Sequence, residues 1–112
     1  MSHYLIQAAY TSEAFQSLIK NPQNRSDVIR AAVEHLGGKL VSGWASFGDY
    51  DTISIIEMPS SVDAAAIAIA VAAGGSCKAI KTTPLLTTEE TIEAVKRAGT
   101  SGYKPVASAA TR

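Results

Sequence analysis

Gly48-Asp49-Tyr50-Asp51 separates two stretches of strand-like alternation, Lys39 to Phe47 and Thr52 to Met58. Glycine accepts a positive φ, aspartate tolerates one and bonds its own backbone, and a tyrosine packs back over a sheet. The tetrapeptide therefore reads as the tip of a hairpin. In the first strand of that hairpin Val41, Gly43, Ala45 and Phe47 alternate with Leu40, Ser42, Trp44 and Ser46. In the second, Ile53 and Ile55 alternate with Thr52, Ser54, Ile56 and Met58. A one-residue slip would exchange the two faces, so the register of this turn decides the fold's interior. The more uniformly apolar sets, Val41/Gly43/Ala45 and Ile53/Ile55, are expected beneath helices.

Upstream, Tyr4 to Tyr10 reads as a strand with Tyr4, Ile6 and Ala8 on one face and Leu5, Gln7 and Ala9 on the other. Ser12 is placed to cap a helix whose apolar positions are Ala14, Phe15, Leu18 and Ile19. Pro22 disfavours helical geometry at Asn21, and a second helical stripe of Val28, Ile29, Ala32, Val33 and Leu36 ends at Gly37. One helical layer bent near the proline is expected from Ser12 to Leu36. Downstream, Ser60 and Asp63 have capping spacing before Ala64 to Ala73, a run apolar on every side and expected to be buried on more than one. Gly74-Gly75 stops it. Cys77 to Thr83 reads as a fourth strand, with Lys78 and Lys81 suited to a sheet edge. Thr87 and Glu90 form a capping box for a helix to about Ala98, and Thr100 to Arg112 is expected to be a mobile tail or docking arm.

The order β-α-β-β-α-β is the ferredoxin-like arrangement, an α+β fold with an antiparallel sheet and both crossover helices on one face, here followed by a short C-terminal helix. The second sheet face, with Leu5, Gln7, Leu40, Ser42, Trp44, Ser46, Thr52, Ser54 and Ile56 expected on it, is too apolar for open water and too polar for a dry core. Two copies meeting there about a two-fold axis would make a dimeric α/β barrel.

At 112 residues the chain is expected to hold one principal domain, residues 1–86, with residues 87–112 as helix and tail. Ten basic residues balance ten acidic ones, which argues against nucleic acid or an anionic membrane as partner. A single cysteine cannot form an internal disulfide, and the first residues lack the pattern of a secretory signal. The longest apolar run is ten residues, against roughly 20 for a membrane span. A cytoplasmic protein is expected. One cysteine and two distant histidines, His3 and His35, make no metal cluster, and no cofactor is expected.

Tyr4-Leu5 near the start, Leu36-Gly37-Gly38-Lys39-Leu40 before the second strand, Gly48-Asp49-Tyr50-Asp51 and the alanine-rich helix together resemble the GYD-domain family over about Met1 to Leu86. The resemblance implies a small bacterial protein of ferredoxin-like build that self-associates. It implies no reaction.

Trp44 with Gln7, Ser42, Ser46 and Ser54 is the candidate ligand-binding set, indole supplying area and the small polar groups orientation. The alternative is that Trp44 anchors a dimer interface. Tyr50 and Asp51 could rim a pocket, although turn chemistry already explains them. No catalytic residue is assigned. The leading expectation is a homo-oligomer that binds a small apolar or aromatic molecule between the sheets of a dimer. Two alternatives stand beside it: a cofactor-independent monooxygenase- or isomerase-like enzyme of the dimeric α/β-barrel type, and a structural unit of a larger assembly.

Overall fold

A computed structural model of the chain describes residues 1–106. The elements in order are β1 (Ser2–Tyr10), α1 (Ser12–Lys20), α2 (Arg25–His35), β2 (Lys39–Ala45), β3 (Thr52–Met58), α3 (Ser61–Ala73), β4 (Cys77–Leu85) and α4 (Thr88–Ala98). The strands form one four-stranded sheet in the order β2-β3-β1-β4, with every pairing antiparallel. This is the expected α+β, ferredoxin-like arrangement. Within one chain the sheet is open and does not close into a barrel.

The expected helical layer, bent near the proline, is two separate helices. Thr11, rather than Ser12, caps α1 by accepting from the Ala14 amide, and Asn24 caps α2 by accepting from Ser26. An extended Asn24 is incompatible with a continuous helix, so the break extends beyond the proline. α2 ends in a Schellman motif: the Gly38 amide reaches the Val33 carbonyl at 2.9 Å and the Gly37 amide reaches Glu34 at 3.0 Å. Gly37 carries the required φ of +83°. The two later caps form as expected, Ser60 on Asp63 and a reciprocal box between Thr87 and Glu90.

The hairpin register reverses the expected faces of β3. Tyr4 pairs with Ile56 and Ile6 with Ser54, so Thr52, Ser54, Ile56 and Met58 face the helices. Ile53 and Ile55 stand on the open face instead. Each set carries two large apolar residues, so composition alone does not separate them. The turn does: the Ser46 amide donates to the Asp51 carbonyl at 2.9 Å, and the Asp51 amide donates to the Ala8 carbonyl at 2.8 Å. A bulge between Leu40 and Ser42 also overturns the expected place of Val41. Leu40 packs against the core, whereas Val41 is exposed. β2 stops at Ala45, so Phe47 is a fully exposed loop residue and not the last residue of the strand.

The core lies at one end of the helix-covered face: Tyr4, Ile6, Val33, Ile56, Met58, Ala64 and Ile67. Each fully buried large side chain there contributes about 1.5–3 kcal/mol. The Tyr4 hydroxyl, 3.0 Å from the Ser61 hydroxyl, ties β1 to the start of α3. α3 is less enclosed than its composition predicts. Only Ala64 and Ile67 are buried, while Val62 and Ile69 are exposed. α4 buries nothing, and the described chain is accordingly elongated, 62 × 32 × 22 Å.

Candidate functional site: two faces of one sheet

The strand register sorts the open face into three rows. At one end lie Lys39, Glu57, His3 and Leu85; in the middle Ser42, Ile55, Leu5 and Thr83; at the other end Trp44, Ile53, Gln7 and Lys81. Ile55 and Leu5 thus sit side by side at the centre of the middle row, Ile53 stands next to them in the adjacent row, and Trp44 is 68% exposed. His3 Nε2 lies 3.5 Å from a Glu57 oxygen. Four residues of extended chain, about 13 Å, separate it from Gln7 along the strand. His35 is exposed in the last turn of α2. Among the described residues no cluster of three metal-ligating side chains occurs.

The helix-covered face has a different character at its turn end. Small side chains on the sheet, among them Ala8, Gly43, Ala45, Thr52 and Ser54, lie opposite Ala32 on α2 and Ala70 on α3. They leave a cavity of about 640 Å³, over which α1 places Phe15 and Leu18. Tyr10 and Phe15 meet edge to face, their centroids 5.3 Å apart. Arg25 and Asp51 are the charged residues on the lining. Burial raises the Tyr10 hydroxyl above its ordinary pKa, opposed by the neighbouring Arg25 guanidinium. Burial likewise pushes the Cys77 thiol up, with Arg25 opposing and Asp51 adding to the rise. Tyr10, Cys77, Arg25 and Asp51 therefore form one electrostatic neighbourhood.

The residues singled out from sequence do not form one group. Gln7 and Ser42 stand on the open face. Ser46, Ser54 and Asp51 line the cavity on the other side, and Trp44, on the edge strand, borders that cavity as well as ending an open-face row. Tyr50 contributes its carbonyl, which accepts from the Ser46 hydroxyl at 2.7 Å. The Asp51 carboxylate accepts from the Tyr10 amide at 2.9 Å, pinning the hairpin to the end of β1. Arg25, Tyr10 and Phe15 were not anticipated as site residues. One signal was present: Arg25 is the first residue of α2, where a cation opposes the helix dipole.

Among curated proteins the chain is similar to a "Glutamine synthetase and cystathionine beta-lyase binding protein" of Thermus thermophilus, with 24% identity over 78 residues, covering 70% of this chain and 82% of that one. Among solved structures it is similar to FFRP-DM1, with a TM-score of 0.48 and 14% identity, covering 77% of this chain and 100% of that one. The GYD domain model matches residues 4–95, a span that takes in β2, β3, β4 and all of β1 but its first two residues, and runs past Leu86 into α4. The chain belongs to the GYD-domain family.

Proposed function

We propose that the protein is a self-associating binding module whose open sheet face packs on that of a second copy. The observation that carries this reading is the apolar centre of the open face, Leu5, Ile53 and Ile55, with Trp44 exposed beside it. A second copy supplies an equally apolar partner through one two-fold operation, and face-to-face packing of this kind forms the dimeric α/β barrel. The flanking charges, Lys39, Glu57 and Lys81, are mixed in sign, so juxtaposed copies need not repel one another. α4 adds support. Isolated helices shorter than about 12–15 residues are marginal in water, and α4 has eleven residues with none buried. A neighbour that covers Ile92 and Val95 would complete it.

The mixed open face also supports the binding of a small apolar or aromatic molecule between the paired sheets, with Gln7, Ser42 and Trp44 as its contacts. Native mass spectrometry at micromolar concentration tests both points. A dimer or larger species is expected for the native chain, and a monomer for Ile55→Lys. A native chain that runs as a monomer would sink the proposal.

The Thermus relative is named for binding two enzymes, which favours a second reading: the same face receives another protein. Native mass spectrometry of the chain mixed with purified glutamine synthetase separates the two. A complex that forms with the native chain and not with Ile55→Lys supports the second reading. A self-associated chain that ignores the enzyme supports the first.

A further inference from the structure

We propose that the cavity between the sheet and helices α1, α2 and α3 is a second binding site, one that takes an amphipathic carboxylate: an alkyl body of about ten carbons ending in a single carboxyl group. It lies on the opposite side of the sheet from the face just described and does not depend on dimer formation. Its volume, about 640 Å³, falls within the range that holds small molecules, roughly 300–1,000 Å³. The walls that would take the apolar body are Ile6, Phe15, Leu18, Ile29 and Val71.

The polar end selects the head group. Arg25 lies on the lining and, among the described residues, has no carboxylate within ion-pair distance. Its guanidinium hydrogen-bonds the Gln23 amide oxygen at 3.3 Å and neighbours the Tyr10 hydroxyl, two neutral partners that leave its charge uncompensated. A guanidinium presents a planar fork that matches a carboxylate in a bidentate geometry. The Tyr10 hydroxyl, beside Arg25, is a further donor for the same anion. Asp51 is the opposing charge on the lining. Its carboxylate is already engaged by the Tyr10 amide and its own amide by the Ala8 carbonyl, so its place is set by the hairpin and not by a ligand. Access would be governed by α1, which buries no residue and reaches α2 through the short Asn21–Asn24 link.

Calorimetric titration of the full chain with decanoate and decylammonium below their micellar concentrations, and with decanol below its solubility limit, tests the assignment. Decanoate is expected to bind about tenfold more tightly than decanol, the scale of one charge-assisted hydrogen bond. Decylammonium is expected to bind most weakly. Arg25→Gln should bring decanoate down to the decanol affinity and leave decanol unchanged. Ala70→Phe and Ala32→Phe, which fill the cavity from two helices, should weaken every probe about tenfold. Ala70 is exposed, so that variant retains the fold, as an unchanged thermal melt would show. Ile55→Lys, on the far face, should leave decanoate binding intact even where it abolishes the dimer. The proposal is overturned if no probe binds, if decanol or decylammonium matches decanoate, or if Arg25→Gln has no effect. It is equally overturned if folded Ala70→Phe binds as the native chain does, or if Ile55→Lys alone abolishes binding, which would move the ligand to the open face.

Discussion

Asp51 shows how much a single side chain fixes in this fold. Its carboxylate holds the Tyr10 amide, its amide holds the Ala8 carbonyl and its carbonyl holds the Ser46 amide. Three strands are thereby joined at one residue. Asp51→Ala leaves the Tyr10 amide without its charged acceptor, and a loss of about 1.5–3 kcal/mol in urea denaturation is expected. Asp51→Asn retains an acceptor oxygen and should recover about half of that. Two nearby groups make stability depend on alkaline pH. Burial raises both the Cys77 and the Tyr10 pKa, so each group holds its proton more tightly folded than unfolded. Their contribution is complete below the unfolded thiol value and is lost as pH rises through the folded ones. Chemical denaturation should therefore show stability falling from about pH 9 upward, and Cys77→Ala should remove the earlier part of that fall. A flat profile between pH 8 and 10.5 would contradict this account.

At the scale of elements, the junction from α2 to β2 leaves Gly38 less room than any other glycine among the described residues. A methyl group on Gly38 would collide with the Glu57 carbonyl and the Met58 sulfur, while Val33 closes the third side. Gly38→Ala is expected to cost about 1–3 kcal/mol, the range for overpacking, because all three of those neighbours are backbone or fully buried side chain. Its amide also closes the Schellman motif, so relief by backbone movement would break that bond. α4 is the opposite case. Its capping box and the Glu93–Arg97 pair at 3.2 Å are local, and no residue of it is buried. Ending the chain at Thr87 in an Ile55→Lys background should change the unfolding free energy of the remaining body by less than about 0.5 kcal/mol. A larger loss would mean that α4 packs on its own chain.

For the whole molecule, the sheet divides the chemistry. One side carries a compact core where α3 begins and the cavity at the turn end, where α3 finishes; the other carries the open rows. If the open face pairs with a second copy, the melting temperature rises with protein concentration, because association favours the folded state by mass action. Ile55→Lys should abolish that dependence. A concentration-independent melt of the native chain would argue that the face is solvated in the free protein. Of the mobile tail or docking arm expected from Thr100 onward, Thr100 to Val106 forms no regular element, and residues 107–112 lie outside the described residues.

Turn chemistry, caps and element order are local properties, and the chain specified them directly: the hairpin at Gly48–Asp51, the caps at Ser60 and Thr87, the left-handed Gly37 and the ferredoxin-like order were all legible. The faces of β3 were not. Ile53/Ile55 and Ile56/Met58 offer nearly equal apolar content, and a strand alternates with period two whichever set is buried. Only the tertiary hydrogen bonds of Asp51 to β1 resolved that choice. The same holds for the cavity, since its walls come from seven elements and its small residues look unremarkable one strand at a time. The tetrapeptide that names the family thus acts through its last residue, which sets the register that turns Ile53 and Ile55 outward and brings Ser54 beneath the helices.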